Sequence, residues 1–89
     1  MELNQLEYFR TLASIRHFTK AAQAINISQS ALSRSITKLE QELGTPLFTR
    51  GTKDIQLTPQ GQHFLIHAER ALRELEKGKQ EIEKRPTTA

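Results

Sequence analysis

Cysteine is absent from the 89 residues, which excludes disulfides and thiolate metal sites and fits a reducing cytosol. No apolar run approaches the roughly 20 residues that a membrane-spanning helix needs. The N-terminal stretch MELNQLEYF lacks the basic and apolar regions of a signal peptide. Internal repeats, low-complexity segments and a glycine-rich phosphate loop are also missing, so the expectation is a soluble, intracellular protein that is not a nucleotide enzyme. A large charge excess is lacking too: 13 Lys and Arg against 10 Asp and Glu leave +3. Its distribution is more informative than its sum, because residues 1–15 carry −1, residues 16–58 carry +3 and residues 59–89 carry +1. The length allows one small domain, near the lower limit at which a core stabilises itself without staples.

What is present is helical spacing. Leu3, Leu6, Phe9, Leu12 and Ala13 recur three and four apart, one stripe of an amphipathic helix from Leu3 to Ile15. Arg16-His17 breaks that pattern, and a second short helix is expected from Phe18 to Ile25, with Ala21, Ala22 and Ala24 small enough for close packing. Asn26 suits a left-handed helix end, and Ser28 is placed to cap a third helix, Gln29 to Leu43. Leu32, Ile36, Leu39 and Leu43 form the core face of that helix, and Gly44 with Pro46 just beyond it is a stop signal.

After Pro46 the pattern alternates. LFTR and IQLT read as short strands joined by GTKD, a small hairpin with its tip at Gly51 to Asp54. Thr58-Pro59 then opens a last helix, with Thr as N-cap and Pro at the first helical position. That helix is expected to run to about Lys84, before Arg85-Pro86 ends it and a short tail, residues 86–89, follows.

Two helices on a short turn followed by a hairpin form a mainly α, winged helix-turn-helix: three helices plus a short β-hairpin wing, residues 1–58, carrying a long linker helix, residues 59–85. The third helix decides what this architecture is for. Opposite its core face it presents Gln29, Ser30, Ser33, Arg34, Thr37 and Lys38. A major groove about 12 Å wide admits a helix whose side chains are short or lie flat along base edges. Ser and Thr are short hydroxyl donors and acceptors, Gln can bond adenine in two places, and Arg can bond guanine in two places. No acid intervenes until Glu40, so the leading turns do not repel phosphate. On the wing, Arg50 and Lys53 are candidates for flanking phosphate or the minor groove. Thr19 and Lys20, at the start of the second helix, are candidates for a phosphate, because helix N-termini attract anions. A Ser/Thr-rich face also occurs on solvated helices, a simple cap accounts equally well for Thr19, and Arg50 and Lys53 can be ordinary surface bases.

At this point the chain resembles the N-terminal domain of the LysR-type transcriptional regulators. The resemblance rests on FTKAAQAINISQSALSRSITKLEQELGTPLFTR, Phe18 to Arg50, followed by LTPQGQ, Leu57 to Gln62. It implies a bacterial regulator in the cytoplasm, at the nucleoid. The recognition helix would enter the major groove of double-stranded DNA at a partly palindromic operator, and the wing would follow the adjacent backbone. The long fourth helix would pair two protomers antiparallel, with a tetramer open to the full-length protein. By position, the family's contacts fall on Gln29, Ser33 and Arg34, with Ser28, Thr19, Lys38 and Arg50 supporting. The resemblance implies no cofactor in this segment and a small-molecule effector for a larger C-terminal domain that the chain lacks, so a fragment is expected. Three positions depart from the pattern: Ser30 where Pro is common, His17 where a small residue is usual, and GTKDI at the wing tip where Gly and Arg are frequent.

Along the last helix Leu65, Ala68, Leu72, Leu75, Lys79 and Ile82 follow the three-four spacing of a coiled-coil seam, the expected homodimer interface. The alternative is that this stripe packs against the protomer's own first helix, as Phe64 and Ala71 are expected to do as well. Glu69, Glu76 and Glu83 recur at one flank and face Ala71 and Gly78 in a parallel pair, so charge does not set the orientation. Gly78 costs about 1 kcal/mol of helix propensity relative to Ala. His63 and His67 lie four apart but lack the intervening Glu of a zinc hydrolase and any Cys ligand, so no metal site is expected. Ser28, Ser30 and Ser33 lie near no His-acid pair, which removes nucleophilic catalysis. Two competing classes remain: a winged-helix module that uses the same face on an acidic protein, and a structural coiled-coil adaptor.

Overall fold

The computed structural model describes residues 1–50 and 54–83. Four helices and one hairpin follow in order: α1 (Leu3–Ile15), α2 (Phe18–Ala24), α3 (Gln29–Leu43), β1 (Phe48–Thr49), β2 (Gln56–Leu57) and α4 (Pro59–Glu83). This is the mainly α winged helix-turn-helix expected from the pattern. The expected tip residues Gly51, Thr52 and Lys53, the Arg85-Pro86 stop and the tail lie outside the described residues.

Each helix boundary has a local cause. The Gln5 side-chain Oε1 accepts the Glu2 N–H at 2.8 Å and closes the start of α1. Arg16 turns left-handed (φ 60°) and donates its N–H to the Leu12 carbonyl, ending that helix. His17, the unusual residue, works as a cap: its Nδ1 accepts the Lys20 N–H at 3.3 Å. Replacing His17 with Ala is therefore expected to lower stability by about 1 kcal/mol, and His17→Ser to restore most of it, read as the shift in a urea midpoint. Helix α2 stops at Ala24, one residue before the expected Ile25, which is its C-cap. Asn26 adopts φ 62° and Gly44 φ 74°, the two left-handed positions the sequence anticipates. The hydroxyl of Ser28 accepts the Ala31 N–H at 3.0 Å and starts α3.

The core lies where α1, α2 and α3 meet, closed below by the start of the hairpin and the first turns of α4. Phe9, Leu12, Leu32, Ile36, Leu39 and Leu47 are its fully buried side chains. Phe9 is the hub: its ring lies 5.5 Å from that of Phe48 and 5.5 Å from that of Phe64, both inclined rather than stacked flat. Among the described residues no polar or charged residue is buried, so every side chain able to make chemistry is at or near the surface.

The hairpin is antiparallel, pairing Phe48 with Leu57 and Thr49 with Gln56. Its strands are shorter than LFTR and IQLT, each contributing two residues to these two pairs. Two clamps hold it. Oε2 of Glu40, near the end of α3, accepts the N–H groups of Leu47 (2.8 Å) and Phe48 (3.3 Å), and Oε1 accepts Arg50 Nη2 (2.9 Å). Thr58 caps α4 by accepting the Gly61 N–H at 2.9 Å, donates its hydroxyl to the Pro46 carbonyl at 2.8 Å, and gives its own N–H to the Leu47 carbonyl at 3.0 Å. These clamps set the wing at a defined angle to α3.

Candidate nucleic-acid interface

Burying Leu32, Ile36 and Leu39 forces the opposite face of α3 outward. Gln29, Ser30, Ser33, Arg34, Thr37 and Lys38 line one shallow, open depression on that face. All are exposed except Ser33, which is half-buried. Ser35 lines the same depression and was missed from the sequence, because its helical position falls on the flank between core and outward faces. Among the described residues neither Arg34 nor Lys38 is paired with a carboxylate. No Asp or Glu occurs from Tyr8 to Leu39, a span that carries Arg10, Arg16, Lys20, Arg34 and Lys38. The face therefore has free cations, short hydroxyls and no built-in repulsion for a polyanion.

The remaining candidates divide. Thr19 is exposed and donates its hydroxyl to Oε1 of Gln29 at 3.1 Å, joining the leading ends of α2 and α3. Lys20 is exposed, but its backbone N–H is already taken by His17. The Ser28 hydroxyl is committed to its cap and lies 3.3 Å from the Ser30 hydroxyl, so the residue standing in place of Pro extends the capping network into the reading face. Arg50 is engaged from two sides: it pairs with Glu40 and its guanidinium carbon sits 5.2 Å above the ring of Phe18. That makes it a brace between wing and helices as well as a base at the wing's root. Lys53 lies outside the described residues.

On α4 the expected seam separates into two parts. Ala68 and Leu72 are only 2% and 7% exposed within the single chain. They belong to the protomer's own core, because α4 lays that part of its stripe on α1, and they have almost no surface left for a partner. Leu65 is half-buried against the same core. Leu75 and Ile82 remain 55% and 74% exposed, and Lys79 between them approaches Glu83 at 3.9 Å. From Arg73 to Glu83 every residue is exposed. Phe64 packs on Phe9 as expected, whereas Ala71 faces solvent. Ile66, half-exposed, is an apolar surface residue that the seam pattern omitted. No described helix is long and apolar enough to cross a membrane.

Three helices, a two-stranded wing and a third helix that carries no acid on its leading turns, from Gln29 to Leu39, define a winged helix-turn-helix protein. The family model for the bacterial regulatory helix-turn-helix proteins of the lysR family matches residues 3–62, and the chain belongs to that family. It is 49% identical over 83 residues to the uncharacterized HTH-type transcriptional regulator YybE of Bacillus subtilis, covering 93% of this chain and 28% of that protein. It is 53% identical over 64 residues to the HTH-type transcriptional regulator BudR of Klebsiella aerogenes, covering 72% of this chain and 45% of that protein. The chain thus spans less than half the length of these relatives. In a crystal structure of the BenM DNA-binding domain with benA site 1 DNA, the protein superposes with a TM-score of 0.92 at 35% identity over the full length of both chains.

Proposed function

We propose that this domain binds double-stranded DNA sequence-specifically, as the reading head of a transcriptional regulator. Helix α3 lies in the major groove with Gln29, Ser33 and Arg34 toward base edges and Ser30, Thr37 and Lys38 beside them. Arg50 and Lys53 serve flanking backbone or the minor groove from the wing, and Lys20 serves phosphate. The observation that carries the proposal is the outward face of α3: one continuous depression of short hydroxyls, an amide and unpaired cations, opposite a fully buried apolar face. The likeness to a domain solved on DNA supports the same orientation. Two copies pair through the exposed end of α4, at Leu75, Lys79 and Ile82, and present two α3 helices to a partly palindromic site. In this reading residues 1–58 are the head and 59–85 the linker and dimerisation helix of a longer regulator. That regulator acts at the nucleoid in the cytoplasm, as a dimer or tetramer, under a small-molecule effector held elsewhere in the protein.

A fluorescence titration against duplex DNA at two salt concentrations tests the reading. Binding should weaken steeply with salt and differ between sequences; no binding at low salt, or equal binding to all sequences, overturns it in favour of a protein-interaction module. Arg34→Ala should cost about 1–3 kcal/mol and relax preference at one base pair per half-site, as expected for a bidentate guanine contact. A uniform loss with a shallower salt dependence would assign Arg34 to phosphate instead.

A further inference from the structure

Gln29 is the first residue of α3 and its side chain is exposed, so three rotatable bonds would leave the amide free to wander in the groove. It is not left free, because the Thr19 hydroxyl on α2 donates to its Oε1 at 3.1 Å. From this contact, and resting on the DNA reading above, we infer that Thr19 is a positioning residue for base recognition by Gln29 rather than a phosphate contact. The hydroxyl uses one lone pair of Oε1. The other lone pair and the Nε2 hydrogens remain available along the outer edge of the amide. That edge offers one acceptor beside one donor, the complement of adenine N6–H and N7 in the major groove. Holding the amide before DNA arrives removes part of the ordering cost of the bidentate contact and sharpens its geometry.

The bond also accounts for how α2 takes part in reading without reaching a base. Thr19 and Gln29 stand on the two helices whose angle is set by the Asn26-Ile27-Ser28 turn, so a side-chain bridge across the turn transmits that angle to the first reading side chain. Thr19 then contributes to discrimination at one base pair and little to affinity for the backbone.

The test compares Thr19→Val, which keeps the shape and removes the hydroxyl, with Thr19→Ser, which keeps the hydroxyl, each also in a Gln29→Ala background. Each protein is used to select bound duplexes from a random pool, and its affinity for the selected site and for single-pair variants is titrated at two salt concentrations. Thr19→Val should lose about three- to tenfold of the preference for A·T at one position per half-site, with the salt dependence unchanged. Thr19→Ser should retain most of that preference, and Thr19→Val should change nothing further once Gln29 is Ala. A loss spread evenly over all sequences, with the salt slope reduced by about one, would overturn the inference and make Thr19 a phosphate ligand. A preference that survives Thr19→Val, or a loss of the same size with and without Gln29, would overturn it as well. A wild-type protein without sequence preference would overturn the DNA reading itself, a result visible before any Thr19 variant is made.

Discussion

Gly61→Ala is expected to destabilise the protein by about 3 kcal/mol net, although alanine is the better helix former. A Cβ at Gly61 would stand 2.1 Å from the Leu47 carbonyl oxygen and 3.0 Å from its carbon. Those atoms are backbone, and the oxygen already accepts the Thr58 N–H, so neither can turn aside as a flexible side chain would. Accommodating the methyl means lifting the first turn of α4 off Leu47, which opens the packing of Phe64 on Phe9. The comparison that isolates the steric effect is Gly78→Ala, in the same helix with nothing within 4 Å of its would-be Cβ. That change should stabilise by about 1 kcal/mol through propensity alone. Urea midpoints of the two variants, at equal protein concentration because dimers gain apparent stability with concentration, should therefore move in opposite directions. Equal midpoints for Gly61→Ala and wild type would mean that α4 is not seated on Leu47.

The sequence pattern and the structure agree most closely where the controlling interactions are local. The bounds of α1 and α3 follow from apolar spacing, and Ser28, Asn26 and Gly44 occupy the backbone positions their chemistry favours. The outward set on α3 was legible for the same reason, since a buried stripe determines its opposite face. Partner choice was not legible. The spacing that links Leu65, Ala68, Leu72, Leu75, Lys79 and Ile82 is the same whether the neighbour is α1 or a second chain, and only the fold shows that Ala68 and Leu72 are already used. Arg50 read as a wing base because Glu40, ten residues away, and Phe18, on another helix, are brought to it by tertiary packing. Glu40 itself looked like an ordinary acid near a helix end, and nothing in a one-dimensional pattern marks a carboxylate that serves backbone amides of a strand.

Glu40→Ala is the second change expected to have a large effect, a loss of about 2–4 kcal/mol, because its carboxylate holds three donors at once. Oε2 serves the N–H groups of Leu47 and Phe48, and Oε1 serves Arg50. The side chain is only 14% exposed, so water is poorly placed to take over as acceptor for the two amides. Leu47 and Phe48 are themselves core residues, and loosening their backbone disturbs the contact between Phe48 and Phe9. Glu40→Gln keeps one acceptor oxygen but loses the charge, and should fall between alanine and wild type. Arg50→Ala should cost less, about 1 kcal/mol, because its side chain is 42% exposed and the pair is partly solvated. The double variant should be little worse than Glu40→Ala alone, since Arg50 has lost its partner in either case. Urea unfolding of the four proteins gives this ordering directly. If Glu40→Ala costs no more than Arg50→Ala, the bonds to the Leu47 and Phe48 amides contribute nothing and the ion pair is the whole clamp. If the expected ordering holds, the wing is anchored to α3 chiefly through backbone amides, and Arg50 can turn toward a phosphate without releasing β1 from the recognition helix.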